Sequence, residues 1–136
     1  MITENEITKG AEVPTAYKKD LALLLEKINI IRKAYNKPMT VTSGYRTWED
    51  HVRIYKEKAQ KRGVPFYMTQ VPTKSKHLYC QAVDIADADG SLKKWVLQNI
   101  KLLEDNGIFC EDFNFTPNWL HFQILPPSSN KRFFLP

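Results

Sequence analysis

Three residues in this chain have the types and order that could hold one divalent metal: His77, Asp84 and His121. His77 and Asp84 stand seven positions apart in SKHLYCQAVDIAD, and Asp84 is set between Val83 and Ile85 in what reads as a buried strand. An isolated carboxylate is costly to bury, and a bound cation would compensate it. A catalytic zinc site takes three ligands from His, Asp or Glu and keeps a fourth position open, which is the set these residues offer. Seven extended residues span about 23–25 Å, so both groups reach one ion only if the chain turns back between them, and LYCQ is the segment that would do so. The residues alone leave a plainer reading open, with His77 a solvent-facing loop histidine and His121 a strand histidine satisfied by a neighbour. His51, within a charged helical segment, reads as a surface residue.

Alternation near the C-terminus adds a fourth group. In WLHFQI, Leu120, Phe122 and Ile124 share one apolar face, which puts Trp119, His121 and Gln123 on the other. In IFCEDF, Ile108 and Cys110 suit the core, leaving Phe109, Glu111 and Phe113 on the face of His121. A hairpin closing about residue 116 sets Glu111 across from His121. A carboxylate there could serve as general base toward a water acidified by the metal. The alternative is that Glu111 and Asp112 are edge charges only.

These groups need elements to position them. Residues 15–35 carry Tyr17, Leu21, Leu24, Ile28, Ile31 and Tyr35 at steps of four and three, which predicts an amphipathic helix ending before Pro38. MTVTS predicts a strand running into the SGYR turn, and Thr47 with Asp50 three residues on caps a second helix that runs to Gly63. Residues 64–76 hold two prolines and no period, a loop long enough to border a site. QAVDIAD reads as a strand, 92–106 as a third helix closed by Gly107, and IFCEDF with WLHFQIL as a hairpin. The aromatic tail is expected to dock on the body. The predicted class is α+β, a mostly antiparallel sheet packed against about three helices.

At 136 residues the chain fits a single domain, residues 1–136, with no separate second domain and no need of disulfides or assembly, so a monomer is expected. Cys80 and Cys110 are too few for a disulfide framework and read as small buried residues, a mutual bridge staying open. The N-terminus lacks the pattern of an export signal, and no apolar run is long enough for membrane insertion. The net charge of +5 favours anionic partners, but the basic residues are scattered among acids, so no nucleic-acid stripe is present.

With SGYR at 43–46, SKHLYCQAVDI at 75–85 and NWLHFQ at 118–123, the chain resembles a zinc peptidase superfamily. It unites D-alanyl-D-alanine carboxypeptidases, vancomycin-resistance dipeptidases and phage L-alanyl-D-glutamate endolysins, and the likeness is greatest to short phage or prophage members. The family pattern is S-G-[YF]-R, then S-x-H-x6-D, then a late histidine after an aromatic, and it covers the chain from about residue 8 onward. The resemblance implies a hedgehog/DD-peptidase-like fold and Zn²⁺ held by His77, Asp84 and His121. It implies that Arg46 holds substrate and steadies the oxyanion, that Ser75 hydrogen-bonds substrate, and that Trp119 lies against it. The implied activity is hydrolysis of an amide in the peptide stem of peptidoglycan, by an enzyme made in the cytoplasm and reaching the wall through phage-mediated release or within a virion.

Two positions depart from the pattern. Many members carry an acid three residues before the last histidine, where this chain has Asn118, which cannot accept a proton at neutral pH. Glu111 is the expected replacement base, with Asp112 in its place if the register slips by one. A rival reading follows from Asn118: a zinc-containing wall-binding or structural module of the same fold without turnover. Cys80 stands where glycine is common and reads as packing.

Overall fold

A computed structural model describes residues 1–136. Five α-helices and one open five-stranded sheet make an α+β fold, as the residue pattern predicts. Helix α2 (Lys18–Tyr35) buries Leu21, Leu24, Ile28 and Ile31, the stripe read from the sequence. It ends at Asn36, whose left-handed backbone (φ 56°) stops the helix just ahead of Pro38. Helix α3 (Trp48–Arg62) starts where the Thr47 side chain accepts the Asp50 N–H and stops at Gly63.

Two helical features differ from expectation. Residues 92–106 form two helices, α4 (Ser91–Gln98) and α5 (Ile100–Asn106), separated by Asn99 at φ −131°. The Asn99 amide donates to the Trp95 carbonyl, a local bond that competes with helix continuation. A further short helix, α1 (Glu4–Thr8), is held by a capping box between Thr3 and Glu6 and buries Ile7.

The sheet order is β1 (Val41–Ser43), β2 (Ala82–Ala86), β4 (Trp119–Gln123), β3 (Phe109–Glu111), β5 (Phe133–Phe134). All neighbours pair antiparallel except β3 and β5, which are parallel. Phe109 pairs with Gln123 and Cys110 with Phe122, the register expected of a hairpin closing about residue 116. Val83, Ile85, Cys110, Leu120 and Phe122 join the core with the buried residues of α2, α4 and α5. Each fully buried side chain of this kind contributes roughly 1.5–3 kcal/mol. Period-two alternation then puts Asp84, Glu111, His121 and Gln123 on the opposite face, the one that carries the site.

The SGYR turn is fixed by contact with α1. A Cβ on Gly44 would lie 2.3 Å from the Ile7 carbonyl oxygen, which itself accepts the Tyr45 N–H at 2.9 Å. Only glycine fits there, and Arg46 follows two residues later.

Candidate metal centre

Asp84 and His121 are direct partners across the β2–β4 ladder. His77 comes from a 3-10 turn, Lys76–Tyr79, that ends at Cys80 in the left-handed conformation (φ 58°). That residue reverses the chain into β2, so the LYCQ segment turns back as expected. The Asp84 Oδ1 lies 2.9 Å from His121 Nδ1 and 3.3 Å from His77 Nε2. One ligand atom from each of the three residues falls within 4.8 Å of the others, and all three side chains are buried. Tetrahedral ligands at zinc bond lengths of 2.0–2.1 Å sit about 3.3 Å apart, so the trio is close to the spacing a metal requires. The chain can hold a metal ion here.

The partners of each ring say which nitrogen is free to ligate. His77 Nδ1 is 2.8 Å from the Gly44 carbonyl oxygen, which can only accept, so Nδ1 carries the proton and Nε2 offers a lone pair. His121 is reversed. The Gln123 amide donates to the Leu125 carbonyl at 2.8 Å, which turns Oε1 toward His121 Nε2, also at 2.8 Å. That oxygen accepts from Nε2–H and leaves Nδ1 to face Asp84. Two carbonyl oxygens thus fix opposite tautomers that converge on one point, the outer support that metal-ligating histidines need.

Electrostatics follow from burial. Burial pushes the His77 imidazole below its ordinary value, with Asp84 pulling the other way. Burial alone would raise Asp84, but the flanking His77 and His121 outweigh it and hold the carboxyl well below the usual carboxylate range. For His121, burial lowers, but Asp84, by hydrogen bond and by charge, raises together with Glu111 and Gln123, and the imidazole is shifted up; the Nδ1 proton that bonds Asp84 in the imidazolium is the one a metal would displace. A lone aspartate surrounded by imidazoles is a preformed charge partner for a cation.

The trio lies in a cleft of about 760 Å³, whose walls include Arg46, Ser75, Glu111 and Trp119. Four of the five residues expected around the metal therefore share one cavity. The Arg46 guanidinium donates from Nε to Ser43 Oγ at 3.0 Å and places Nη2 3.8 Å from Asp84 Oδ2. Glu111 is half-buried, and the β3–β4 register continued by one residue sets it opposite His121. Burial pushes its carboxyl above the ordinary value; Asp84 adds to this while His121, Lys58 and Arg46 offset it.

No family model, curated protein or solved structure matches this chain.

Three expectations need correction or completion. Asp112 does not join the cleft, because its carboxylate caps the 3-10 turn Phe113–Phe115 by accepting the Asn114 N–H at 2.9 Å. His51 is not a surface residue: it is 0% exposed, since the 64–76 loop folds back and sets the Pro72 carbonyl against its ring. Gln123 shares the face of His121, and its hydrogen bonds, not its residue type, reveal that it orients that ring. The alternation WLHFQ was the available signal. Cys80 and Cys110 are free, buried thiols, and burial pushes Cys80 up to about 11. Asn118 is exposed in the turn before β4, where its carbonyl accepts the Asp87 N–H. No helix is long and apolar enough to cross a membrane.

Proposed function

We propose that this chain is a zinc-dependent peptidase that hydrolyses an amide in the peptide stem of bacterial peptidoglycan. The observation that carries the reading is the convergence of His77, Asp84 and His121 in a cleft that also holds Arg46 and Glu111. Zn²⁺, when bound, would polarise the scissile carbonyl and acidify water. Arg46 keeps donors for a substrate carboxylate or the developing oxyanion. A Glu111 carboxylate oxygen takes the proton of the attacking water and returns it to the leaving nitrogen. Ser75 offers a hydroxyl to the substrate backbone, and Trp119 supplies an apolar wall.

Charge favours the same substrate class. Arg46, Lys58, Lys74, Lys76 and Lys131 line the cleft, against Asp84 and Glu111. With a divalent ion in place that balance attracts a peptide bearing free carboxylates, as wall stem peptides do. Delivery by a phage, through lysis or in a virion, belongs to this proposal and fits the likeness to short phage members.

The test is digestion of purified peptidoglycan followed by mass spectrometry of the released fragments. Cleavage that is abolished by a chelator, restored by Zn²⁺ and lost in Glu111→Gln with zinc retained supports the peptidase. Stoichiometric zinc without any released fragment would support the non-catalytic module to which Asn118 points.

A further inference from the structure

His51 occupies a place that a helix of charged residues does not lead one to expect. It is fully buried in α3, with the Trp48 ring centroid 6.0 Å and the Tyr55 ring centroid 5.1 Å from its own. Nε2 lies 2.8 Å from the Pro72 carbonyl oxygen, an acceptor only, so the proton is on Nε2. Nδ1 lies 3.5 Å from Arg46 Nη1, a donor only, so Nδ1 presents its lone pair. Both neighbours demand the same neutral tautomer.

We propose that His51 is a positioning residue for Arg46, its ring locked by the Pro72 carbonyl so that its Nδ1 lone pair aims the guanidinium into the cleft. The inference rests on Arg46 being the substrate-binding cation of the proposed peptidase. Arg46 is then held at three corners: Nε by Ser43 Oγ at 3.0 Å, Nη1 by His51, and Nη2 by Asp84 Oδ2 at 3.8 Å. A second carboxylate in the place of His51 would orient the guanidinium too, but it would cancel the charge that attracts an anionic substrate. A neutral imidazole orients without cancelling. Burial, with Arg46 nearby, keeps the ring on the neutral side, although the Pro72 bond works against this. Because Pro72 belongs to the 64–76 loop that borders the cleft, His51 also ties the shape of that loop to the direction of Arg46.

Two substitutions separate this role from simple loop anchoring. In H51Q the amide nitrogen takes the place of Nε2 and keeps the Pro72 bond, while the acceptor toward Arg46 is gone. In H51N the amide oxygen takes the place of Nδ1 and keeps that acceptor, while the reach to Pro72 is lost. On peptidoglycan stem peptide, H51Q is expected to lower kcat by about tenfold to a hundredfold, and H51N to recover most of that loss. In an Arg46→Ala background neither substitution is expected to cost more than about a further twofold. H51N at or below H51Q, or a full H51Q loss without Arg46, overturns the proposal.

Nitrogen NMR of the zinc-loaded protein gives a readout independent of turnover. Wild type and H51N are expected to show resolved Arg46 Nη signals, merged by fast rotation in H51Q. The wild-type His51 ring is expected as the Nε2–H tautomer, which requires no variant to fold. A ring protonated at Nδ1, or Arg46 signals indifferent to H51Q, overturns the role of His51. Absence of peptide cleavage with these signatures intact would instead defeat only the proposed peptidase.

Discussion

The centre of the sheet and its rim treat their site residues differently. At the centre, Asp84 and His121 face each other on β2 and β4, strands that are each paired on both sides. Their positions are set by a backbone ladder, and a carbonyl oxygen holds one ring nitrogen of His77 and of His121 so that the other faces Asp84. At the rim, where strands end, Glu111 is the last residue of the three-residue β3, which is likewise paired on both sides but stops here as the chain leaves the sheet for the Phe113–Phe115 turn. Its carboxylate takes part in no ion pair and is aimed by a flexible side chain. Asp84 and His121 are thus fixed by the ladder, whereas Glu111 stands where the ladder ends. In the proposed peptidase, Glu111 would therefore stand in for the acid that position 118 lacks.

Four substitutions sharpen or break that contrast. Asp84→Ala removes the group that joins both histidines; we expect loss of stoichiometric zinc and a fall in stem-peptide hydrolysis of about 10⁴-fold or more. A variant that is folded by circular dichroism and still binds one zinc would break the contrast at its centre. Glu111→Gln is expected to keep zinc by atomic absorption and to lower kcat by about 10²–10⁴-fold, the usual share of a general base. Unchanged turnover there would show that the rim supplies its base from elsewhere.

Gln123→Leu probes the support behind a ligand rather than the ligand itself. Loss of the acceptor for His121 Nε2–H is expected to weaken zinc binding by about 10–100-fold in competition with a chelator. Equal affinity in wild type and variant would mean that strand pairing alone orients His121. The smallest effect belongs to Asp112→Asn. Asparagine caps a turn about as well as aspartate, so turnover within about twofold of wild type and an unchanged Tm are expected. A collapse of kcat on this substitution would move the base from Glu111 to Asp112.

Much of the centre was legible in the residues because its constraints are local or periodic. The stripe of Leu21, Leu24, Ile28 and Ile31 marked the core face of α2, and period-two alternation in WLHFQ separated Leu120 and Phe122 from His121. Hairpin symmetry about residue 116 marked the β3–β4 register, and a charge at Asp84 within a buried strand pointed to the His77, Asp84 and His121 trio. What escaped depends on long-range contact or on weak local competition. His51 is buried by a loop that carries no period, so nothing within α3 shows its cover. The break at Asn99 turns on one side-chain bond to Trp95, with no proline or glycine to announce it. Strand β5 is two residues long and pairs with β3 in parallel, too short for alternation to mark. The Asp112 cap needed the backbone path after β3, which the residue types alone do not specify.

Anomalous diffraction at the zinc edge from crystals of the metal-loaded protein tests the central claim most directly. The expected map holds one zinc per chain, bonded to His77 Nε2, an Asp84 carboxylate oxygen and His121 Nδ1. A zinc peak elsewhere, or those three side chains free of metal at saturating Zn²⁺, would contradict it.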